Sequence, residues 1–482
     1  MTPFGVVPRR RSLICSTKFI ALFCRIDGGF FMRRIKVVFW TALALITALW
    51  LATDPLALKP TGFLPLRNSI VQLSGLLAMA CMSLAMILAL RPRWPEPWIG
   101  GLDKMYRLHK WLGVGGLALA VIHWLWAQGP KWAVGLGWLE RPQRGPRPVI
   151  DNPVGQFLST LRGPAEDLGE WAFYAAALLI VIALIHRIPY RIFYKTHRLL
   201  AVVYLVLGFH TVVLTNFVYW ASPLGAGMAI FLTYGTWAAV VVLARRIGEG
   251  RKVDATITRL HYFPSLRVIE GEIDTLQGWP GHKPGQFAFV TWDQGEGAHP
   301  CTIASAWNPS EHRLTFITKE LGDFTRRMPE ALRVGQPVTV EGPYGCFTFD
   351  DGRARQVWIG AGIGITPFIA RMKQLAMDRH AYASRPRSQA IDLFHTTADY
   401  SEEAIGKLTT DAEAAGVRLH VLHDRRDGLL TGDRIRATVP DWKEASVWFC
   451  GPAGFGTALR YDLARHGLPV DERFHQELFA MR

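Results

Sequence analysis

RLHKWLGVGGLALAVIHWLW at 107–126 and THRLLAVVYLVLGFHTVVL at 196–214 are apolar stretches that each carry two histidines. His109 and His123 lie 14 residues apart, and His197 and His210 lie 13 apart. A helix rises about 1.5 Å per residue, so each pair spans about 20 Å of a bilayer core about 30 Å thick. An ionisable side chain at that depth is costly and usually has a partner. A lone membrane histidine is more often a packing residue than a ligand. Two pairs at matching heights suit two stacked haems held by bis-histidine ligation, with His109, His123, His197 and His210 as the metal ligands. At about 100° per residue, 14 steps return nearly to the same helix face and 13 do not. The second helix is therefore expected to bend or change pitch, with Gly208 as its weak point.

Around these stretches the chain reads as a membrane protein. Half of its 482 residues are hydrophobic, and it holds 18 tryptophans; its mean hydropathy is +0.15. Apolar spans near the ~20 residues a bilayer requires run over 36–53, 69–90, 106–127, 170–186, 198–216 and 225–244. The net charge of +15 raises the question of nucleic acid. The basic residues flank the spans instead, which favours membrane topology and no nucleic-acid partner. Basic clusters at Arg33, Arg34 and Lys36, at Arg91 and Arg93, at Arg187, Arg191, Lys195 and Arg198, and at Arg245, Arg246, Arg251 and Lys252 alternate with the span ends. Both termini are therefore expected in the cytoplasm of a multi-pass inner-membrane protein. The long 128–169 loop, with Arg141, Arg144 and Arg147, is the exception and falls on the outer side. Residues 1–31 lack the order of a signal peptide and read as a disordered or mis-assigned extension ahead of Met32.

From about 250 the pattern changes to short alternating runs. KVDATITRL, SLRVIEGEI, GQFAFVTW, HRLTFIT and QPVTVEG read as strands of a small antiparallel barrel. KELGDFTRRM reads as a short helix whose N-terminus suits a pyrophosphate. QVWIGAGIGITPF and VWFCGPAGFGTALRYDL read as two strand–turn–helix units. In the first, Gly360, Gly362 and Gly364 let a diphosphate approach the backbone, and Pro367 in place of a sixth-position glycine suits a first helical turn. The six cysteines show no zinc spacing and no disulfide framework.

HPCTIASA at 299–306, GPYG at 342–345, GAGIGITPF at 360–368 and FCGP at 449–452 occur in the order found in ferredoxin-NADP reductase-like modules. Together with the four histidines, the chain from about 32 to 482 resembles the ferric reductase and NADPH oxidase family. The resemblance implies a six-helix transmembrane haem bundle over 32–248, an antiparallel β-barrel FAD domain over 249–348 and an α/β NAD(P)-binding domain over 349–482. It implies FAD contacts by Gln286, Phe287, His299, Pro300, Thr302, Ser305, Gly322 and Thr325, with Thr302 near the reactive edge of the ring. Where the family has an aromatic residue, this chain has Cys301; an aromatic there would pack on the flavin, worth about 0.5–1.5 kcal/mol, so FAD is expected to bind weakly. Nicotinamide contacts fall to Gly360, Gly362, Gly364, Thr366, Pro367, Cys450, Gly451 and Pro452. Cys450 would lie near the reacting carbon, Glu477 would be the acid near the hydride path, and Phe479 would cover the flavin ring.

The resemblance favours NADPH over NADH. No arginine stands at once beside Thr396 and Thr397 to meet a 2′-phosphate, which leaves Arg425 and Arg426 as the candidates. The implied activity is transfer of electrons from cytoplasmic NAD(P)H through FAD and two b-type haems to an acceptor at the outer face. Ferric chelate and dioxygen both fit as small-molecule acceptors. An electron-relay subunit serving a periplasmic protein partner is the alternative.

Overall fold

The computed structural model describes residues 30–60, 62–140, 152–185, 187–275, 277–381 and 389–477. The N-terminal extension up to Gly29, the arginines at 141, 144 and 147, and Phe479 lie outside them.

Six segments among the described residues are long and apolar enough to cross a membrane. They are α1 (Phe30–Thr53), α2 (Phe63–Ala89), α4 (Leu102–Gly135), α5 (Arg162–Leu184), the pair α6 (Tyr190–His197) and α7 (Leu200–Leu214), and α8 (Pro223–Leu243). The short helix α3 (Glu96–Ile99) lies between α2 and α4. Helix α2 sits centrally, and its Leu76, Leu77, Met79 and Ala80 pack with Ile46 and Trp50 of α1, Tyr204 of α7, and Met228 and Leu232 of α8. Tyr204 is fully buried and shares a hydrogen bond of 2.8 Å with Ser83. The outward faces keep large apolar side chains such as Trp40, Leu178 and Ile230 exposed. So much exposed apolar surface suits lipid rather than water.

The expected change of pitch is present, but not at Gly208. Gly208 is buried within α7. The break falls at Arg198 and Leu199, where the amides of Leu199, Ala201 and Val202 each bond the carbonyl three residues back, at 3.0–3.1 Å. Such tightened turns advance about 120° per residue instead of 100°. They supply part of the rotation that a 13-residue spacing lacks.

The next six strands are β1 (Lys252–Phe263), β2 (Val268–Thr275), β3 (Phe287–Thr291), β4 (His299–Thr302), β5 (Arg313–Lys319) and β6 (Pro337–Tyr344). They form one antiparallel sheet in the order β4-β3-β6-β1-β2-β5. The antiparallel character expected is present, and the ladder does not close into a barrel. Its edge strands β4 and β5 are not paired as a ladder; just past β4 the chain meets β5 through the isolated bridge Ile303–Phe316 and the Ala304 amide, which donates to the Thr315 carbonyl at 2.8 Å. Strand β4 spans four residues, and Pro300 within it has no N–H to give. Farther along, the Thr315 amide donates to the Ser305 hydroxyl oxygen at 3.1 Å. Ile257, Ile273, Val290, Ile303, Leu314 and Val340 fill the interior of this sheet. Helix α9 (Asp323–Ala331) follows β5, where the sequence predicts it.

The last third is a parallel sheet of β7 (Arg355–Ala361), β8 (Ala390–Thr397), β9 (Arg418–His423), β10 (Ser446–Cys450) and β11 (Phe474–Gln476). Helices α10 (Thr366–Ala381), α11 (Glu402–Ala415) and α12 (Ala453–Arg465) connect its strands. Its order is β11-β10-β7-β8-β9. The chain runs outward from β7 through β9 and then returns to the other side of β7. Such a reversal leaves a crevice at the carboxyl ends of the two central strands, where ligands bind in open α/β sheets. Here the crevice lies between Ala361 and Cys450.

Candidate functional site

The four histidines meet in two pairs. The ring centroids of His109 and His197 lie 5.9 Å apart, and those of His123 and His210 lie 6.1 Å apart. Metal–imidazole bonds of about 2.0 Å, with about 1.1 Å from each nitrogen to its ring centre, place two coaxial rings about 6 Å apart. Each pair therefore leaves room for one iron. Three rings are oriented by backbone carbonyls: His109 Nδ1 donates to Ala85 at 2.9 Å, His123 Nδ1 to Val71 at 2.9 Å and His210 Nδ1 to Ala165 at 2.7 Å. A carbonyl only accepts, so Nδ1 carries the proton and Nε2 keeps the lone pair that a metal would need. Glycines admit the far rings. A Cβ on Gly75 would come within 3.0 Å of His123, and one on Gly169 within 1.9 Å of His210.

On the sheet side, His299 stacks on Phe324 of α9 at 4.5 Å and 8°. Its other neighbour is Tyr190 of α6, at 5.1 Å. Tyr190 lies 5.9 Å from Phe193, and Phe193 stacks on His197 at 5.0 Å. A ladder of ring contacts thus joins β4 to the nearer histidine pair. His299 Nε2 is buried without a hydrogen-bond partner, and burial pushes its imidazole below the usual histidine range. Thr302 and Ser305 are buried beside it along the chain, and Pro300 is exposed. Gln286 donates to the Gly345 carbonyl at 3.2 Å. Phe287 is fully buried against β6. The Thr325 hydroxyl takes the amides of Leu321 and Gly322, both at 2.9 Å. Cys301 lies in the sheet interior, beside Trp292 and Thr318, with its thiol pushed up to about 11 by burial. An aromatic side chain at 301 would have to enter this core.

The two glycine turns abut at the crevice. Gly360 pairs with Cys450 across β7 and β10. Gly362 has φ +56°, and a Cβ on Gly364 would lie 2.2 Å from the Cys450 carbonyl oxygen. A Cβ on Gly451 would meet Ala361 at 2.7 Å. Thr366 and Pro367 are buried in the first turn of α10, and Pro452 precedes α12. Cys450 is fully buried, and burial, with Glu477 close by, pushes its thiol up. Glu477 is 3% exposed, and its Oε2 has no hydrogen-bond partner. Burial pushes the Glu477 carboxyl well above the usual carboxylate range; Asp103 adds to this and Lys104 opposes it. Farther along the sheet, Thr396 donates to Asp424 at 2.7 Å and Arg426 pairs with Asp427 at 2.9 Å. Arg425 is exposed.

Several contacts here were not singled out from the sequence. Lys104 donates to the Gln476 carbonyl at 3.0 Å, so the start of α4 reaches the residue before Glu477. Tyr190, Phe193 and Phe324 form the ring ladder. Arg91 registers in the sequence only as a topology signal, and its pairing with Glu341 of the sheet is invisible there.

Residues 74–208 match the family of ferric reductase like transmembrane components. An NADPH oxidoreductase of Mycobacterium tuberculosis is 28% identical over 269 residues, 54% of this chain and 66% of that protein. A flavohemoprotein of Deinococcus radiodurans is 26% identical over 251 residues, 48% of this chain and 57% of the relative. The chain thus spans about two-thirds or less of the length of these relatives. Among solved structures, flavohemoglobin from Malassezia yamatoensis covers 86% of this chain and 98% of its own, at 17% identity and a TM-score of 0.44. The chain thus resembles ferric reductase like transmembrane components over 74–208 and is similar over about half its length to an NADPH oxidoreductase and a flavohemoprotein.

Proposed function

We propose that this NAD(P)H-dependent transmembrane oxidoreductase passes electrons from cytoplasmic NAD(P)H through FAD and two b-type haems to an acceptor on the outer face. The observation that carries the reading is the pair of imidazole couples, 5.9 and 6.1 Å between ring centres. His109 and His197 hold the haem nearer the reductase, and His123 and His210 hold the farther one. The domain division is 32–248, 249–348 and 349–482.

The bound groups supply two-electron chemistry at the nicotinamide and flavin and one-electron chemistry at the irons. The protein's part is placement. His299, with an unpartnered buried nitrogen, and Thr302 line the flavin, with Gln286, Phe287, Pro300 and Ser305 along the same segment and Gly322 and Thr325 toward its pyrophosphate. Gly360, Gly362, Gly364, Thr366, Pro367, Gly451 and Pro452 pass the dinucleotide, which is NADPH, with NADH as the alternative. Cys450 and the buried acid Glu477 would border the hydride path, and the family resemblance would have Phe479 cover the flavin. Each imidazole pair would hold one iron from both sides and leave it no open position, so the haems would supply electron relay rather than acceptor binding. With the cytoplasm negative, outward electron movement gains about 2.3 kcal/mol per 100 mV.

The acceptor is a ferric chelate or dioxygen. The test is an anaerobic spectrum of the detergent-purified, haem-loaded chain with FAD and NADPH, followed by oxygen or ferric citrate. A b-type spectrum that reduces with NADPH supports the reading, and the faster reoxidant identifies the acceptor. Haem that dithionite reduces and NADPH never does would sink it. In the second reading the chain is a relay subunit for a periplasmic protein.

A further inference from the structure

We propose that the segment 90–104, between the second and third spans, is the docking element that holds the flavin sheet in register with the nearer histidine pair. Arg91 and Glu341 are its positioning residues. This rests on the proposed function, because the electron step it controls is the one from flavin to haem.

The covalent link between membrane domain and sheet lies elsewhere, after α8 at 244–251. A tether there would leave the sheet free to swing. Besides the ring contact of Tyr190 with His299, the contacts that hold it come from 90–104, some 250 residues from their partners in sequence. Arg91 sits past the end of α2 with φ +57°, a backbone region that a non-glycine residue rarely adopts. Its guanidinium carbon lies 3.6 Å from the centre of the Phe289 ring in β3. Its Nη1 donates to Glu341 of β6 at 2.7 Å, and its Nε to the Tyr106 hydroxyl of α4 at 2.9 Å. Its carbonyl accepts from Arg251 at 2.9 Å. Glu341 also accepts from the Tyr344 hydroxyl at 2.5 Å. The side chains of Arg91 and Glu341 are 13% and 5% exposed. A Cβ on Gly248 would lie 2.1 Å from the Glu341 carboxyl, so the linker itself closes over the pair.

The same segment holds two more points. Glu96, 6% exposed, accepts the Gly345 amide at 2.6 Å, and Lys104 holds Gln476. Ile99 and Leu102 between them, and Met105 just past Lys104, share one buried cluster with Phe287, Phe289 and Tyr344. Apolar burial supplies adhesion without direction. A buried ion pair bonded on several sides fixes orientation, since a shifted dock leaves each charge uncompensated.

The controlled step moves one electron from reduced flavin to ferric haem. The flavin is oxidised by one electron, the iron becomes ferrous, and no bond in the protein forms or breaks. A displacement of about 1 Å at a reacting centre can cost a hundredfold in rate.

The experiment compares full-length wild type, Arg91→Met, Glu341→Gln and the double variant, each loaded with haem and FAD. Three activities are read anaerobically: NADPH-driven ferricyanide reduction at the flavin, dithionite reduction of haem, and NADPH-driven haem reduction. We expect the first two to stay within about twofold of wild type and the third to fall about tenfold or more in each single variant. The double variant should be no slower than the slower single one, because it leaves no lone buried charge. Haem reduction by NADPH that stays within twofold of wild type would overturn the proposal. So would a parallel loss at ferricyanide, which would assign the pair to folding of the sheet. Hydrogen exchange across 337–346 of the haem-free protein gives a second readout. It should quicken in Arg91→Met, because the Gly345 amide loses its hold on Glu96; unchanged exchange would overturn the docking role. That arm needs no electron flow, so it decides docking even where NADPH fails to reduce the wild-type haems and the proposed function falls.

Discussion

Gly169→Ala should remove one haem and spare the other. Gly169 lies in α5 against His210, and an added Cβ would sit 1.9 Å from Nδ1, 2.5 Å from Cε1 and 2.7 Å from Cγ of that ring. Ordinary carbon contacts begin near 3.4 Å, so the ring or the helix must retreat by about 1.5 Å. That shift breaks the 2.7 Å bond from His210 to Ala165, and it compares with an iron–nitrogen bond of only about 2.0 Å. Overpacking of this kind costs about 1–3 kcal/mol. Helix propensity acts in the opposite direction, with alanine favoured over glycine by about 1 kcal/mol, so a loss is assignable to the ring. Gly163→Ala in the same helix is the control, because nothing lies within 4 Å of its added Cβ. The assay is haem content per chain with a reductive titration of the b-type spectrum. Gly169→Ala should carry half the haem of wild type, and the haem that remains should still reduce with NADPH. Full haem content with an unchanged titration would refute the geometry given for the far pair.

Two further outcomes follow from the reductase module. Gly364→Ala drives a Cβ to 2.2 Å from the Cys450 carbonyl, an atom that cannot rotate aside, so NADPH-driven ferricyanide reduction should fall about a hundredfold while dithionite still reduces the haems; an unchanged NADPH KM would contradict the dinucleotide path drawn between the two glycine turns. The Glu477 carboxyl is pushed up on folding, so its favourable contribution is complete below the unfolded value of about 4.3 and is lost as pH rises toward the raised folded one. Thermal stability of the wild type should decline as pH rises above about 5, and Glu477→Gln should flatten that decline; equal slopes in both would show that Glu477 is not the group responsible.

The membrane half was legible because its signals are local. Span length, flanking arginines and histidine spacing all lie within short windows, and the 13-residue spacing even required a change of pitch. Its position at Arg198 and Leu199 was not legible, because a tightened turn depends on which carbonyls the amides reach. Gly208, an isolated glycine in a helix, was the only visible weak point, yet it sits in regular helix. The five predicted strands of the first sheet carry clear alternation, whereas β4 is short, contains Pro300 and runs along the edge. That edge is why the ladder stays open. The junction was least legible. Arg91, Glu96 and Lys104 find their partners 249 to 372 residues away, and no window of sequence holds both ends.

The same junction fixes which histidine pair an electron meets first. His197 ends α6, whose Tyr190 touches His299, and His109 lies five residues beyond Lys104, which holds the residue before Glu477. The pair they form is therefore beside both candidate cofactor clefts. His123 and His210 lie 14 and 13 residues farther along their helices, about 20 Å deeper. A flavin against His299 faces the nearer pair across the rings of Tyr190 and Phe193, with no comparable contact to the farther one among the described residues. Under the proposed function this forces a sequential order, flavin to near haem to far haem. It also places the end of α4 and the start of α5, and not the reductase, on the side where the electron would leave.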